Sequence, residues 1–238
     1  MFGKKPSAEI KARHIVLTGV TKGLGRTLAQ HFARMGHRVA GCGRSAPLIA
    51  SLRESLCAPH DFQVLDVADG NAVRQWAGHV LAASETPPDL LINNAAVINR
   101  NAPLWEIPEE EFSHVIDVNI KGVANVCRAF LPAMMARGQG IVVSLSSGAG
   151  RCGFADLSAY CATKWAVEGL SQSLAQDLPE GMASVALSPG IVNTGMLQST
   201  FGSRAADYPG PEEWAETAAP YILRIGPNDN GESLTVPQ

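Results

Sequence analysis

Short apolar runs alternate along the chain with longer segments in which apolar and polar residues are mixed. The runs predict buried strands, and the mixed segments carry apolar residues at helical spacing. The first run, His14–Thr18, precedes a helical segment at 26–35, and the alternation then repeats. Further strands are predicted at 38–42, 62–65, 90–93, 140–145, 183–187 and 233–236, and helices at 45–56, 70–84, 109–137, 158–177 and from 211 onward. This alternation calls for a parallel sheet with helices on both faces.

A glycine-rich turn, G-V-T-K-G-L-G, follows the first predicted strand directly and leads into the first predicted helix. Its glycines, Gly19, Gly23 and Gly25, allow a tight turn and a close approach to a ligand, and the free N–H groups of the helix suit a pyrophosphate. A plain glycine turn is the alternative, but the position between strand and helix favours a dinucleotide site. We therefore predict one α/β domain over residues 1–238. It is a Rossmann-type, doubly wound parallel sheet of about seven strands.

The end of the second predicted strand bears on which dinucleotide is bound. NAD-binding proteins usually carry Asp or Glu there, whose carboxylate binds the ribose and repels a 2′-phosphate. This chain has Gly43 and then Arg44 at that point, and Lys22 lies in the glycine turn. Two cations near the expected 2′-phosphate predict NADPH over NADH, unless both are incidental surface charges. Asp66, at the end of the third predicted strand, is either an acceptor for the adenine amino group or a turn aspartate.

Tyr160 and Lys164 are four residues apart in the segment predicted as a helix over 158–177. That spacing places a phenol and an ammonium on one helix face. A free tyrosine, with a pKa of about 10, is a weak acid at neutral pH, and a nearby cation favours its ionised form. Ser147 follows a predicted strand and could hydrogen-bond the same substrate oxygen. The group predicts proton transfer to or from an alcohol or carbonyl oxygen, against the alternative of a surface helix with an incidental Tyr and Lys.

Composition excludes several function classes for this chain of 238 residues. Its 19 basic and 22 acidic side chains give a net charge of −3, so we expect no nucleic-acid partner. The five cysteines form no C-x-x-C pair, which argues against a zinc ribbon or a disulfide framework and for reduced thiols in the cytoplasm. The histidine spacing supports no metal site. No apolar stretch is long enough to span a membrane, and residues 1–13 are expected to form a loose arm.

Taken together, these motifs resemble those of the short-chain dehydrogenase/reductase family over nearly the whole chain. The matches are T-G-x-x-x-G-x-G from Thr18, N-N-A from Asn93, Asn119, Ser147, Tyr160-x-x-x-Lys164, and Pro189-Gly190 with Thr194. The resemblance implies that Tyr160 is the general acid, that Lys164 tunes it and holds the nicotinamide ribose, and that Ser147 orients the carbonyl. From the residues alone Asn119 is either a helix-packing amide or part of a polar site. The resemblance implies that it holds a water that relays protons through Lys164.

The cofactor contacts predicted from these motifs lie in the turns that follow the strands. They are Gly19, Thr21, Lys22, Gly23, Leu24, Gly25, Arg44, Ser45, Asp66, Val67, Asn93, Ala95, Tyr160, Lys164, Pro189, Gly190, Val192 and Thr194. Residues 191–210, which contain many small residues, are predicted to form a substrate loop or lid. The sequence departs from the family pattern at Ala96, where glycine is usual, so a positive φ there would be strained.

Longer strings, such as Y-C-A-T-K-W-A-V-E-G-L-S, resemble the plant-type NADPH-dependent pterin aldehyde reductases. The expected activity is therefore NADPH-dependent reduction of an aldehyde or ketone, with a pterin aldehyde as the candidate substrate. A 3-oxoacyl reductase and an NAD(P)-dependent alcohol dehydrogenase are alternatives within the enzyme class. An inactive dinucleotide-binding regulatory protein is the alternative from another class. The family resemblance also implies a homodimer or homotetramer.

Overall fold

The computed structural model describes residues 12–237, which form a seven-stranded, fully parallel sheet in the order β3-β2-β1-β4-β5-β6-β7. The predicted fold class is confirmed. Residues 1–11 of the predicted N-terminal arm lie outside the described residues. The strands are β1 (His14–Thr18), β2 (Arg38–Gly43), β3 (Asp61–Val64), β4 (Leu90–Asn93), β5 (Gly140–Leu145), β6 (Met182–Ser188) and β7 (Ser233–Thr235).

Helices cover both faces of the sheet because side chains alternate along each strand. In β1, Ile15 and Leu17 belong to a core with α1, α2 and α8, whereas Val16 points into a second core with α3, α5 and α6. The helices are α1 (Gly23–Arg34), α2 (Ala46–Ser55), α3 (Gly70–Ala82), α4 (Glu109–Ile116), α5 (Gly122–Arg137), α6 (Ser158–Asp177), α7 (Gly195–Phe201) and α8 (Pro211–Arg224).

The helix predicted over 109–137 is interrupted by a π-helical turn, Asp117–Lys121, between α4 and α5. Asn119 lies in this turn and is 1% exposed. Its amide oxygen accepts from the Val97 N–H (2.8 Å), and its amide nitrogen donates to the Val97 carbonyl (2.9 Å) and to the Thr163 hydroxyl (3.0 Å). The turn brings this amide to partners on the loop after β4 and on α6, which local sequence does not reveal.

Two further elements differ from the sequence prediction. Helix α1 begins at Gly23, three residues before the predicted start, so two glycines of the turn lie in its first turn. The predicted loop 191–210 contains α7, capped by Thr194, and a 3₁₀ helix, Gly202–Asp207. Thr194 accepts from the Leu197 N–H at 3.2 Å, and such a cap starts a helix in a segment without a clear periodic pattern.

The strand order places a switch point between β1 and β4, from which the chain winds in opposite directions. In open α/β sheets a crevice forms at such a point, outside the carboxyl ends of the strands. Ala96, on the loop after β4, does not have a positive φ, so the alanine found in place of the usual glycine is not strained by its backbone conformation.

Candidate active site

A cavity of about 950 Å³ opens at the carboxyl ends of the strands, across the switch point. All the predicted site residues line it except Gly25, Asn93 and Asn119. Those that line it are Gly19, Thr21, Lys22, Gly23, Leu24, Arg44, Ser45, Asp66, Val67, Ala95, Ser147, Tyr160, Lys164, Pro189, Gly190, Val192 and Thr194. Residues far apart in the sequence meet here because every parallel strand ends at the same edge.

The glycine turn packs closely on the loop that follows β4. A Cβ atom on Gly19, whose φ is +73°, would lie 2.8 Å from the Ala95 Cα, and one on Gly25 would lie 2.2 Å from the Gly19 carbonyl oxygen. Asn94, which the sequence analysis did not single out, donates its amide to the carbonyls of Thr18 (2.8 Å) and Gly19 (3.2 Å). These two glycines are therefore required for the close packing of the glycine turn on the loop after β4.

The amino end of α1 faces the cavity and suits a pyrophosphate. Within residues 12–237 no side chain caps this end, whose N-cap residue is Lys22, and its first turn has no acidic residue. Free N–H groups and the positive end of the helix dipole attract an anion. The residues present thus fit a dinucleotide, with the glycine turn against its phosphates.

The cations predicted to select a 2′-phosphate lie at one end of the cavity. The Arg44 guanidinium is 3.6 Å from the Asp66 carboxylate and 3.3 Å from the His114 Nε2 atom. The other Asp66 oxygen accepts from the Ala68 N–H at 2.9 Å, so Asp66 is a turn aspartate that also pairs with Arg44. Lys22 is exposed on the glycine turn. The sequence analysis did not single out His114, which lies on α4.

Tyr160 and Lys164 lie one turn apart on α6, on the wall of the cavity. The Lys164 ammonium is 5.5 Å from the centroid of the Tyr160 ring and donates to the Leu145 carbonyl at 2.7 Å. Burial raises the Tyr160 pKa to about 12, although a hydrogen bond with Ser147 lowers it. Burial also lowers the Lys164 pKa to about 8, against a rise caused by Glu168. The predicted triad of Ser147, Tyr160 and Lys164 is thus brought together in a largely dry site.

Two asparagines act behind the cavity wall. Asn93 donates to the Ser144 hydroxyl (3.2 Å) and the Cys127 thiol (3.5 Å), beneath the loop rather than on its surface. Asn99, which sequence reasoning missed, accepts from the Tyr160 N–H at 3.1 Å and donates to the Asp156 carbonyl at 3.0 Å. Asn99 therefore holds the first turn of α6, and with it the candidate acid, against the loop after β4.

The end of the cavity beyond Ser147 is apolar. Phe154, Ile191, Met196 and Phe201 line it, and Phe154 keeps 46% of its surface exposed. The Asn101 amide donates to the Thr200 carbonyl at 2.9 Å and joins the loop after β4 to α7. This end suits a substrate with a flat apolar face.

No metal-binding cluster of three or more His, Cys, Asp or Glu side chains occurs within residues 12–237. Over the same range, none of the helices combines the length and hydropathy needed to cross a bilayer.

The model of the short chain dehydrogenase family matches residues 13–205. The chain belongs to this family. The predictions of the family and of an oxidoreductase are confirmed. The chain is 46% identical over 237 residues, 99% of its own length and 98% of the relative, to the NADPH-dependent pterin aldehyde reductase of Arabidopsis thaliana.

Solved structures of the same family resemble this dehydrogenase along its whole length. A short chain dehydrogenase from Pseudomonas syringae is 27% identical with a TM-score of 0.86, and 99% of each chain is covered. The 3-ketoacyl-(acyl-carrier-protein) reductase from Brucella melitensis, complexed with NADH, is 25% identical with a TM-score of 0.84, and the match covers 95% of this chain and 97% of that one.

Proposed function

We propose that this protein is an NADPH-dependent carbonyl reductase that acts on an aldehyde or ketone. Its proposed substrate is a planar aromatic aldehyde such as a pterin aldehyde. The observation that carries the proposal is the cavity itself. One end holds the uncapped helix with Lys22 and Arg44, and the other holds Ser147, Tyr160 and Lys164 beside an apolar wall. The resemblance to an NADPH-dependent pterin aldehyde reductase supports both the cofactor and the substrate class.

Bound NADPH supplies the hydride, and the protein's residues handle the oxygen of the carbonyl. The Tyr160 phenol donates a proton to that oxygen, and the Ser147 hydroxyl, on the lining of the same cavity, orients it. The buried phenolate left on Tyr160 is costly, and the ammonium of Lys164, 5.5 Å from the ring centroid, stabilises it. The residues of the glycine turn, together with Pro189, Gly190, Val192 and Thr194, hold and orient the cofactor.

Asn119 has its side chain fully engaged with Val97 and Thr163. We assign it to holding the π-helical turn, the loop after β4 and α6 together. Its relay of protons through a water to Lys164 stays a prediction. The contacts of Asn93, with Ser144 and Cys127, assign it in the same way to supporting the loop after β4.

A substrate panel tests the proposal. Initial rates with pterin-6-aldehyde and with an acetoacetyl thioester should be measured with NADPH and with NADH. We expect turnover of the aldehyde with NADPH and little with NADH. Preference for the thioester would favour a 3-oxoacyl reductase, the activity named for the Brucella melitensis relative. Oxidation of alcohols alone would favour an alcohol dehydrogenase. NADPH binding without turnover of any carbonyl would favour an inactive dinucleotide-binding regulatory protein.

We also propose that the enzyme works as a homodimer or homotetramer in the cytoplasm. Helix α6 exposes two large apolar side chains, Trp165 (54%) and Leu170 (36%), which a second copy would cover. The five cysteines of the described part are free thiols, as in a reducing compartment. Light scattering at several protein concentrations tests the assembly, and a monomer at every concentration would refute it.

A further inference from the structure

Glu168 is a buried carboxylate to which the proposed mechanism gives no role. It lies on α6 one turn beyond Lys164 and is 6% exposed. Its oxygens accept hydrogen bonds from the Ser146 hydroxyl (2.6 Å), from the Arg151 Nε atom (3.2 Å) and from the Ser233 hydroxyl. A buried carboxylate with three hydrogen-bond donors is held in one orientation.

The partners of Glu168 come from the loop after β5 and from β7. Ser146 directly precedes Ser147, and Arg151 follows the 3₁₀ turn that Ser147 caps. Arg151 also donates to the Thr235 hydroxyl (2.8 Å) and the Leu234 carbonyl (2.7 Å), which belong to β7 and the segment near the carboxyl end of the chain. Glu168 and Arg151 therefore connect three elements: the loop after β5, which carries Ser147, helix α6 and strand β7.

The charge of Glu168 also reaches Lys164. Lys164 is 4% exposed, and its ammonium lies 5.5 Å from the ring centroid of Tyr160, which also lines the cavity. Among the charged groups of the elements around α6, Arg151 pairs with Glu168 at 3.2 Å. Asp117 and Lys121 of the π-helical turn pair with each other at 2.7 Å. Glu168 is thus the carboxylate that offsets the loss of water around the ammonium, and it raises the pKa of Lys164.

We propose that Glu168 is a positioning residue of the active site, which together with Arg151 fixes the Ser147 loop against α6 and whose charge keeps Lys164 in its ammonium form. The consequence for turnover rests on the proposed function, because Lys164 affects the rate only in an enzyme whose proton transfer passes through Tyr160. The effect on the charge of Lys164 does not depend on turnover.

Two substitutions separate the effect of charge from that of structure. Glu168→Gln keeps the size of the side chain and its ability to accept from serine, but it removes the negative charge beside Lys164. Arg151→Gln removes the positive charge and leaves the carboxylate. Electrostatics therefore predicts opposite shifts of the Lys164 pKa, downward in the first variant and upward in the second. A purely structural brace predicts the same direction in both, because each loses the same contact.

The titration is followed by NMR in protein carrying ¹³Cε-labelled lysine. The chain has six lysines, and the signal of Lys164 is assigned from its loss in Lys164→Met. We expect the Lys164 pKa to fall by about one unit or more in Glu168→Gln and to rise in Arg151→Gln. Glu216→Gln removes a charge from an exposed position of α8 and should leave the titration unchanged. If Glu168→Gln does not fold, Arg151→Gln decides alone.

Turnover supplies the second measurement. In Glu168→Gln the alkaline loss of kcat/KM should move to lower pH, in step with the NMR titration. An unchanged Lys164 pKa in Glu168→Gln, or shifts of the same sign in both variants, would overturn the proposal. A wild-type protein that reduces no carbonyl would overturn the proposed function, while the NMR titration would still decide the role of Glu168.

Discussion

The end of β2 offers the sharpest test of cofactor selection. Gly43 occupies the position at which NAD-binding proteins usually carry an acidic residue. A Cβ atom at Gly43 would lie 2.6 Å from the Thr21 Cγ2 atom, yet 3.4 Å or more from the other Thr21 atoms. Gly43→Asp alone therefore forces Thr21 to move within the glycine turn. Adding Thr21→Ser removes the methyl group that clashes, so we expect the double variant to bind NADH better than Gly43→Asp does.

The expected size of the change follows from charge and exposure. Two unit charges 4 Å apart repel by about 1 kcal/mol in water and by about 4 kcal/mol near a protein surface. The Arg44 side chain beside this site is 52% exposed, so we take the lower part of that range, about 1 to 2 kcal/mol. The carboxylate should thus lower kcat/KM for NADPH by about 5- to 30-fold relative to NADH.

Initial rates with NADPH and NADH measure this ratio in matched variants. The control is Gly43→Ala with Thr21→Ser, which has the same backbone and the same space but no charge. We expect the control to keep the NADPH preference of the wild type and the Asp variant to lose it. Equal ratios in the two double variants would refute the argument, because the selecting charge would then lie elsewhere. Full activity of the single variant Gly43→Asp would refute the claim that a side chain at position 43 clashes with the Thr21 methyl group.

Three further changes test the acid, the glycine turn and the sheet. Tyr160→Phe should lower kcat by at least about 100-fold while NADPH binding, followed by fluorescence, is unchanged, and a normal rate would exclude the phenol as the acid. Gly19→Ala should lower Tm more than Gly36→Ala, because both glycines have a positive φ but only Gly19 has close neighbours. Equal decreases in Tm would contradict this. Burial lowers the pKa values of His14 and His37 in the folded protein. Below about pH 6.5 these histidines therefore bind protons more readily in the unfolded than in the folded state, so Tm should fall as the pH drops from 7.5 to 5.5. A constant Tm would contradict this.

The sequence predicted the strands well because a fully buried parallel strand is a short apolar run whatever surrounds it. The alternation with helices predicted that the sheet is parallel, and the shared edge of the sheet gathers most predicted site residues in one cavity. The π-helical turn was not predictable, since it depends on partners for Asn119 that lie in other segments. Helix α7 begins at a single threonine cap, Thr194, in a segment of small residues that reads as a loop.

The residues that sequence reasoning missed are those that act through other residues. Asn94 left a weak signal, as the second amide of N-N-A, but its role in bridging two loops depends on how closely Gly19 approaches Ala95. Asn99 and Glu168 left no signal in the sequence, because a single buried amide or carboxylate cannot be distinguished there from a polar residue on the surface. Only the packing shows that both are almost inaccessible. Asn99 accepts from the helix that carries the acid, and Glu168, on that helix, accepts from Ser146 of the loop after β5.

Tyr160, Lys164 and Glu168 follow one another at four-residue intervals, so they form a single stripe along α6. Burial disfavours the charged form of each group, which is why the phenol pKa rises to about 12 and the ammonium pKa falls to about 8. Each charge on the stripe is therefore stabilised by the next one: the ammonium of Lys164 stabilises the phenolate of Tyr160, and the carboxylate of Glu168 stabilises the ammonium. Arg151 completes the series and is anchored to Leu234. On this account the segment near the carboxyl end of the chain helps to set the acidity of the residue that protonates the substrate.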